Sequence, residues 1–322
     1  MVLAARIAVR TVLGLLLSVA AALAGSSKAG NPVPALRWKV AISGHDDWVL
    51  RLAVGKDATI YAATWTGSTL RGLAPDGTVR RKLSAGNSVH GLAVAADGRI
   101  YVASGYDDPQ VHVFAPDGSL TLTFPSKTTF EALAEGPDGI VYAASSDGSV
   151  YALRSDGSLV WDSRTAGRAL VIGRDGTIYT GGSGAGVLAL ASNGAPRGGF
   201  KVGSGGIAAL LIGRGGLLYV GSQDRTVYAL DPKDGANRWS FNTRRTPFGL
   251  AEGDDGTLYV GSFNGNVYAL DSERGTLRWR FSTGNGKWGE NPVHAIAVGR
   301  DGVIYAASGA AVEAISVKGG RR

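Results

Sequence analysis

The sequence predicts an all-β fold: a seven-bladed β-propeller of four-stranded antiparallel blades, closed by the N-terminal strand completing the last blade. Three observations carry this. Tyr61, Tyr101, Tyr142, Tyr179, Tyr219, Tyr259 and Tyr305 follow one another at intervals of 37 to 46 residues, the length of one four-stranded blade. Short apolar runs rich in β-branched and aromatic residues are each bounded by Gly, Asp or Asn, the signature of strands and hairpins. The seventh unit stops after its third strand, while an orphan strand at residues 35–40 precedes the first and reads like residues 276–281.

Taken in chain order, Arg6 and Arg10 lead into a mainly apolar run over residues 12–24, which ends in Ala22, Leu23 and Ala24. This is the pattern of a signal peptide cleaved after Ala24. The run is short for a spanning helix, so export is expected rather than a permanent anchor. Residues 25–35 are a short linker, 36–318 the propeller and 319–322 a basic tail. The sixth unit shows the blade plan most clearly, with strands expected at 247–252, 257–262, 266–271 and 276–281. Its first turn is Asp254-Asp255-Gly256, and Asp97-Gly98, Asp138-Gly139, Asp175-Gly176 and Asp301-Gly302 repeat it. Asp57-Ala58 and Gly215-Gly216 depart from the pattern. A tight hairpin needs positive φ, which glycine adopts without steric cost. A second set of turns, Asp76-Gly77, Asp117-Gly118, Asp156-Gly157, Asn193-Gly194, Asp234-Gly235 and Arg274-Gly275, joins the third strands to the fourth. The glycines are turn residues, and none lies in the strand-loop-helix setting of a phosphate loop.

Residues 227–231 with Trp239, residues 267–271 with Gly275 and Trp279, and residues 150–153 with Gly157 and Trp161 repeat one motif. That motif resembles the repeat of quinoprotein-type (PQQ-like) β-propellers, which is related to that of the outer-membrane assembly propeller lipoproteins. The tryptophan position is Arg81, Leu122 or Gly198 in three other blades. The resemblance implies the fold, and fold does not fix function. There is no cysteine. The lipid anchor of those lipoproteins is therefore not expected, nor is the adjacent-cysteine disulfide found at the cofactor of the longer quinoprotein dehydrogenases. No cofactor is expected, PQQ included.

Composition fits a large exported domain. A chain of 322 residues with 44% hydrophobic content buries a substantial core. Without disulfides, stability must come from packing and ring closure. Loss of the two leader arginines lowers the net charge from +7 to +5. Lys56, Arg174, Arg214 and Arg300 precede the first turns and form a ring on one face, which serves solubility or attraction to an anionic surface. No aromatic-basic motif points to nucleic acid, and membrane association is at most peripheral.

Candidate site residues are those that break the repeat. Counting seven residues back from the first-turn aspartate, or its equivalent, gives Leu50, His90, Glu131, Arg168, Ala208, Phe248 and His294, which open the innermost strands at the funnel mouth. Two residues later, Leu52, Leu92, Leu133, Leu170, Leu210, Leu250 and Ile296 are uniform and read as interblade core. Within the variable ring, a carboxylate at Glu131 between His90 and Arg168 would stay ionised and raise the histidine pKa, giving an acid/base or anion-binding cluster. Solvated charges or interblade ion pairs explain the same residues. Two histidines and one glutamate spread over three blades are poorly placed to share a metal.

Trp38, Trp161, Trp239 and Trp279 repeat on the outer strands and are expected to pack between blades. Trp48, Trp65 and Trp288 do not repeat. All three map to the funnel side near His294, where they form a ligand wall or merely cover the closure seam. The expected function is therefore an exported, non-enzymatic scaffold for a protein, peptide or carbohydrate ligand at the funnel face. The alternative is a propeller enzyme, either a lyase resembling the streptogramin lyases with His90 or His294 as acid or base, or a quinoprotein-type oxidoreductase. No nucleophile elbow, zinc-protease helix or dinucleotide fingerprint is present.

Overall fold

The computed structural model describes residues 32–43, 47–67, 69–86, 88–105, 109–165, 167–184, 186–284 and 291–318. The proposed leader at 1–24, the basic tail, most of the linker and Trp288 lie outside these residues. Seven four-stranded antiparallel sheets occur among the described residues, six of them built from four consecutive strands. In the seventh the order is Val33–Ala41, Ala311–Lys318, Ile304–Ser308 and Val293–Val298, so the N-terminal strand supplies the outer edge of the last blade. That strand begins at Val33, two residues ahead of the expected one. Elsewhere the sixth blade matches its expected strands, apart from a fourth strand placed one residue later at Leu277–Ser282.

Why these residues make blades is visible in the burial. The seven repeated tyrosines are all buried, between 1% and 7% exposed, and the second strands that carry them are apolar on both faces because each is sandwiched between neighbouring blades. Leu133, Leu170 and Ile296 are buried, and Leu52, Leu92, Leu210 and Leu250 pack partly buried against the interblade clusters, as the uniform ring requires. At the first turns the aspartate is a local cap. The carboxylates of Asp57, Asp97, Asp138, Asp175, Asp255 and Asp301 each accept the backbone N–H two residues on. Ala58 holds a φ of 59° where the other six blades have glycine.

Ring closure carries its own fastening. Lys39 on the N-terminal strand donates to Glu313 on the facing strand at 2.6 Å, and Glu313 is 1% exposed. Burial pushes the Glu313 carboxyl up from its ordinary value, opposed by Lys39. Removing Lys39 would leave that carboxylate buried without a cation, so the pair favours one register of closure over its neighbours.

Candidate functional site

Strand register gives the variable ring a structural meaning. In six blades the inner strand carries a β-bulge, and the residue left without a partner is Leu50, His90, Glu131, Ala208, Phe248 or His294. Blade 4 is the exception. Its inner strand begins at Ala169, and Arg168 donates its backbone N–H to the Gly181 carbonyl at 2.8 Å. A bulge re-aims the extra side chain and kinks the strand, so each blade presents one irregular residue at the mouth while the next residue returns to the interblade packing.

Two of these positions, Phe248 and His294, join Trp48, Trp65 and Phe263 in an aromatic cluster over blades 6, 7 and 1. His294 stacks on Trp48 with ring centroids 5.2 Å apart, lies 5.4 Å from Phe248 and meets Phe263 edge-on at 6.2 Å. Trp65 extends the cluster, 6.5 Å from Trp48, and remains 44% exposed. Of the three tryptophans expected to gather near His294, Trp48 and Trp65 do so, Trp288 lies outside the described residues, and Phe248 joins them from the variable ring. Phe263 was missed because it sits in a loop between strands, where no period marks it.

The charged part of the ring is arranged differently from expectation. Glu131 does pair with Arg168, at 3.5 Å, across blades 3 and 4. The arginine side chain is 58% exposed, so the pair is a weak surface contact. The expected rise in the histidine pKa is reversed. Burial first, and the Arg51 charge second, hold His90 down to about 4, and the same two causes in the same order hold His294 down to about 4. Both imidazoles are neutral near pH 7, and a pair of neutral rings is not the protonated acid of an acid/base couple. His294 Nε2 is buried with no hydrogen-bond partner among the described residues.

Arg51 is the residue that sequence reasoning overlooked. At its position, one beyond the bulge, the other blades carry Gly91, Ala132, Ala169, Ala209, Gly249 and Ala295. These small residues let neighbouring inner strands approach closely: a Cβ added at Gly249 would come within 2.8 Å of the Ile296 backbone. In blade 1 a guanidinium extends from this ring instead. It donates to the Leu50 carbonyl at 3.1 Å and to the Glu131 carbonyl of blade 3 at 2.9 Å. The signal was present in the repeat, one position from the ring that was chosen. The mouth therefore offers a cation, two neutral histidines and a half-exposed aromatic ledge. Among the described residues no three His, Asp or Glu side chains are grouped to hold a metal ion.

His112 is a different case. It is buried in blade 2, with Nε2 3.2 Å from Ser104 Oγ and Nδ1 3.1 Å from Thr123 Oγ1. Both nitrogens are satisfied and Ser104 is itself buried, so this serine-histidine pair is core.

The model of the family described as outer membrane protein assembly factor BamB matches residues 36–210 and 186–322. No curated protein matches the chain. Among solved structures, the crystal structure of the WD40 β-propeller domain of Doa1 is similar with a TM-score of 0.74 and 15% identity, covering 88% of this chain and 97% of that one. At that identity the likeness is one of fold.

Proposed function

The chain belongs to the family described as outer membrane protein assembly factor BamB, and on that premise we propose that it is an exported, non-enzymatic scaffold that holds a segment of a protein or peptide partner at the funnel mouth. The observation that carries this reading is the aromatic cluster: Trp65 stands 44% exposed beside Trp48 and His294. Large aromatic side chains left open on a surface are the usual anchors of protein recognition. Arg51, whose charge acts on His294, supplies a cation beside the ledge. Histidines held neutral down to about 4 favour recognition over proton donation.

Site-specific photo-crosslinking tests the reading. A crosslinker at position 65 is expected to capture a defined protein or peptide in the exported fraction, and one at the exposed rim residue Lys82 is not. The same partner should bind the Trp65→Ala variant at least tenfold more weakly while the protein keeps its melting temperature. Equal capture at both positions, or capture of polysaccharide alone, overturns the proposal. Mass spectrometry of the exported protein should place its first residue after Ala24.

A further inference from the structure

Away from the funnel, the outer edge of the ring shows a device shared by four blades, and in blade 4 a glycine stands in its place. In blades 3, 5 and 7 an outer-strand indole donates to a turn carbonyl of the next blade: Trp161 to Ser192 at 2.8 Å, Trp239 to Ser272 at 3.0 Å and Trp38 to Pro75 at 2.8 Å. Each indole also packs on the repeated tyrosine of its own blade, with centroids 5.7 to 5.8 Å apart. In blade 1 Arg81 makes the same bond, to the Pro116 carbonyl at 2.8 Å.

Blade 4 has Gly198 at this position. Its φ of 128° is a conformation that side chains rarely adopt, so the absence of a side chain here is built into the backbone. Phe200 covers the turn at Gly235, where an added Cβ would meet its ring at 2.5 Å. The rest of the indole space stays open. Tyr179, Gly198, Phe200, Ile212 and Pro232 line a cleft of about 740 Å³ between blades 4 and 5, within the range of small-molecule sites. The Pro232 carbonyl stands where those of Ser192 and Ser272 receive an indole N–H. It accepts no hydrogen bond among the described residues.

The wall of this cleft is cationic. Arg174, Arg197, Arg214 and Lys233 line it, against Asp175 and Asp234. Arg197 is engaged with Asp175 at 3.6 Å, and Arg214 with Asp254 outside the cleft. Arg174 and Lys233 are in no ion pair among the described residues and are exposed.

We propose that the blade 4–5 cleft is a second ligand site, for an aromatic acid of about indole size. The ring takes the place of the missing tryptophan against Tyr179 and Phe200, a ring N–H or O–H donates to the Pro232 carbonyl, and the acid group lies between Arg174 and Lys233. A free aromatic acid and an aromatic residue of an acidic peptide share this chemistry.

Titration calorimetry on the full chain, with indole-3-acetate and with the peptide acetyl-Glu-Trp-Glu-amide as probes, tests the site. Saturable binding of at least one probe is expected, with cyclohexylacetate and tryptamine each at least tenfold weaker because one lacks the ring and the other the acid. Tighter binding of the peptide assigns the site to a protein segment, and equal or tighter binding of the free acid assigns it to a small molecule. The exposed double substitution Arg174→Glu with Lys233→Glu should weaken binding at least tenfold without changing the circular dichroism, while Trp65→Ala leaves it unchanged. The proposal falls if neither probe saturates at millimolar concentration, if the charge reversals have no effect, or if Trp65→Ala abolishes binding.

Discussion

The funnel mouth and the outer rim are both rings of β-bulges cut from the same repeat, yet they are used in opposite ways. At the mouth the bulged residues are Leu50, His90, Glu131, Ala208, Phe248 and His294, with little chemistry in common. At the rim they are Arg37, Arg80, Thr121, Val160, Arg197, Arg238 and Arg278, and five are arginine. Most of those arginines reach back to their own blade. Arg278 and Arg197 each donate to the first-turn threonine at 2.5 Å, and Arg80 to Thr59 at 3.2 Å. A bulge that is bound to its own blade is structure, and a bulge whose residue changes from blade to blade is free to carry recognition.

The largest expected effect tests the rim. Trp239→Ala removes an indole that is 9% exposed, together with its bond to Ser272, and should cost about 3–5 kcal/mol in chemical denaturation. Binding at the funnel should be unaffected. A loss below about 1 kcal/mol would mean that the indoles do not hold the blades and that the contrast with Gly198 is empty.

Next in size is the mouth's response to acid. The folded-state pKa of His90 and His294 lies near 4, below the unfolded value of 6.5. The unfolded chain therefore takes up protons first, and stability present above pH 6.5 is lost as the pH falls toward 4. The loss is on the order of 2–3 kcal/mol per histidine. Urea unfolding across this range should show it, and His90→Phe with His294→Phe should flatten the slope. An unchanged slope would place both imidazoles in water.

The smallest effect concerns a turn that departs from its six equivalents. Ala58 sits at a φ of 59°, and Ala58→Gly should stabilise the protein by about 0.5–1 kcal/mol. A fall in melting temperature would show that the first-turn rule does not hold in blade 1.

The fold was legible because every blade needs the same buried tyrosine and the same aspartate-capped turn, so packing writes itself into the sequence at a fixed period. Closure was legible through Trp38, which stands in the frame of Trp279. The mouth was only half legible. A position that fails to repeat stands out, which located His294, Phe248 and Trp48. Register is set by partner strands, however, so nothing local marked these residues as bulges. The direction of the histidine pKa depended on burial and on an arginine reaching across the axis from Leu50 to Glu131, a contact between residues 80 apart in sequence. The 4–5 cleft was visible as a missing tryptophan at Gly198, though only the flanking arginines and Pro232 give that absence a chemical character.

The Lys39–Glu313 fastening joins residues 274 apart in sequence, and this sets an order of events during synthesis. Until residues 311–318 emerge, the strand at Val33–Ala41 has no partner and must wait as a bare edge. Closing a flexible loop of that length costs about 5 kcal/mol in chain entropy, so closure comes after the intervening blades have already stacked and brought the ends together. Arg37 and Lys39 keep the waiting strand charged, which discourages pairing with a second nascent chain. The last blade thus tests the chain for completeness: without its final strand, Ala311–Lys318, both the Val33–Ala41 and the Ile304–Ser308 strands lose the neighbour that lies between them.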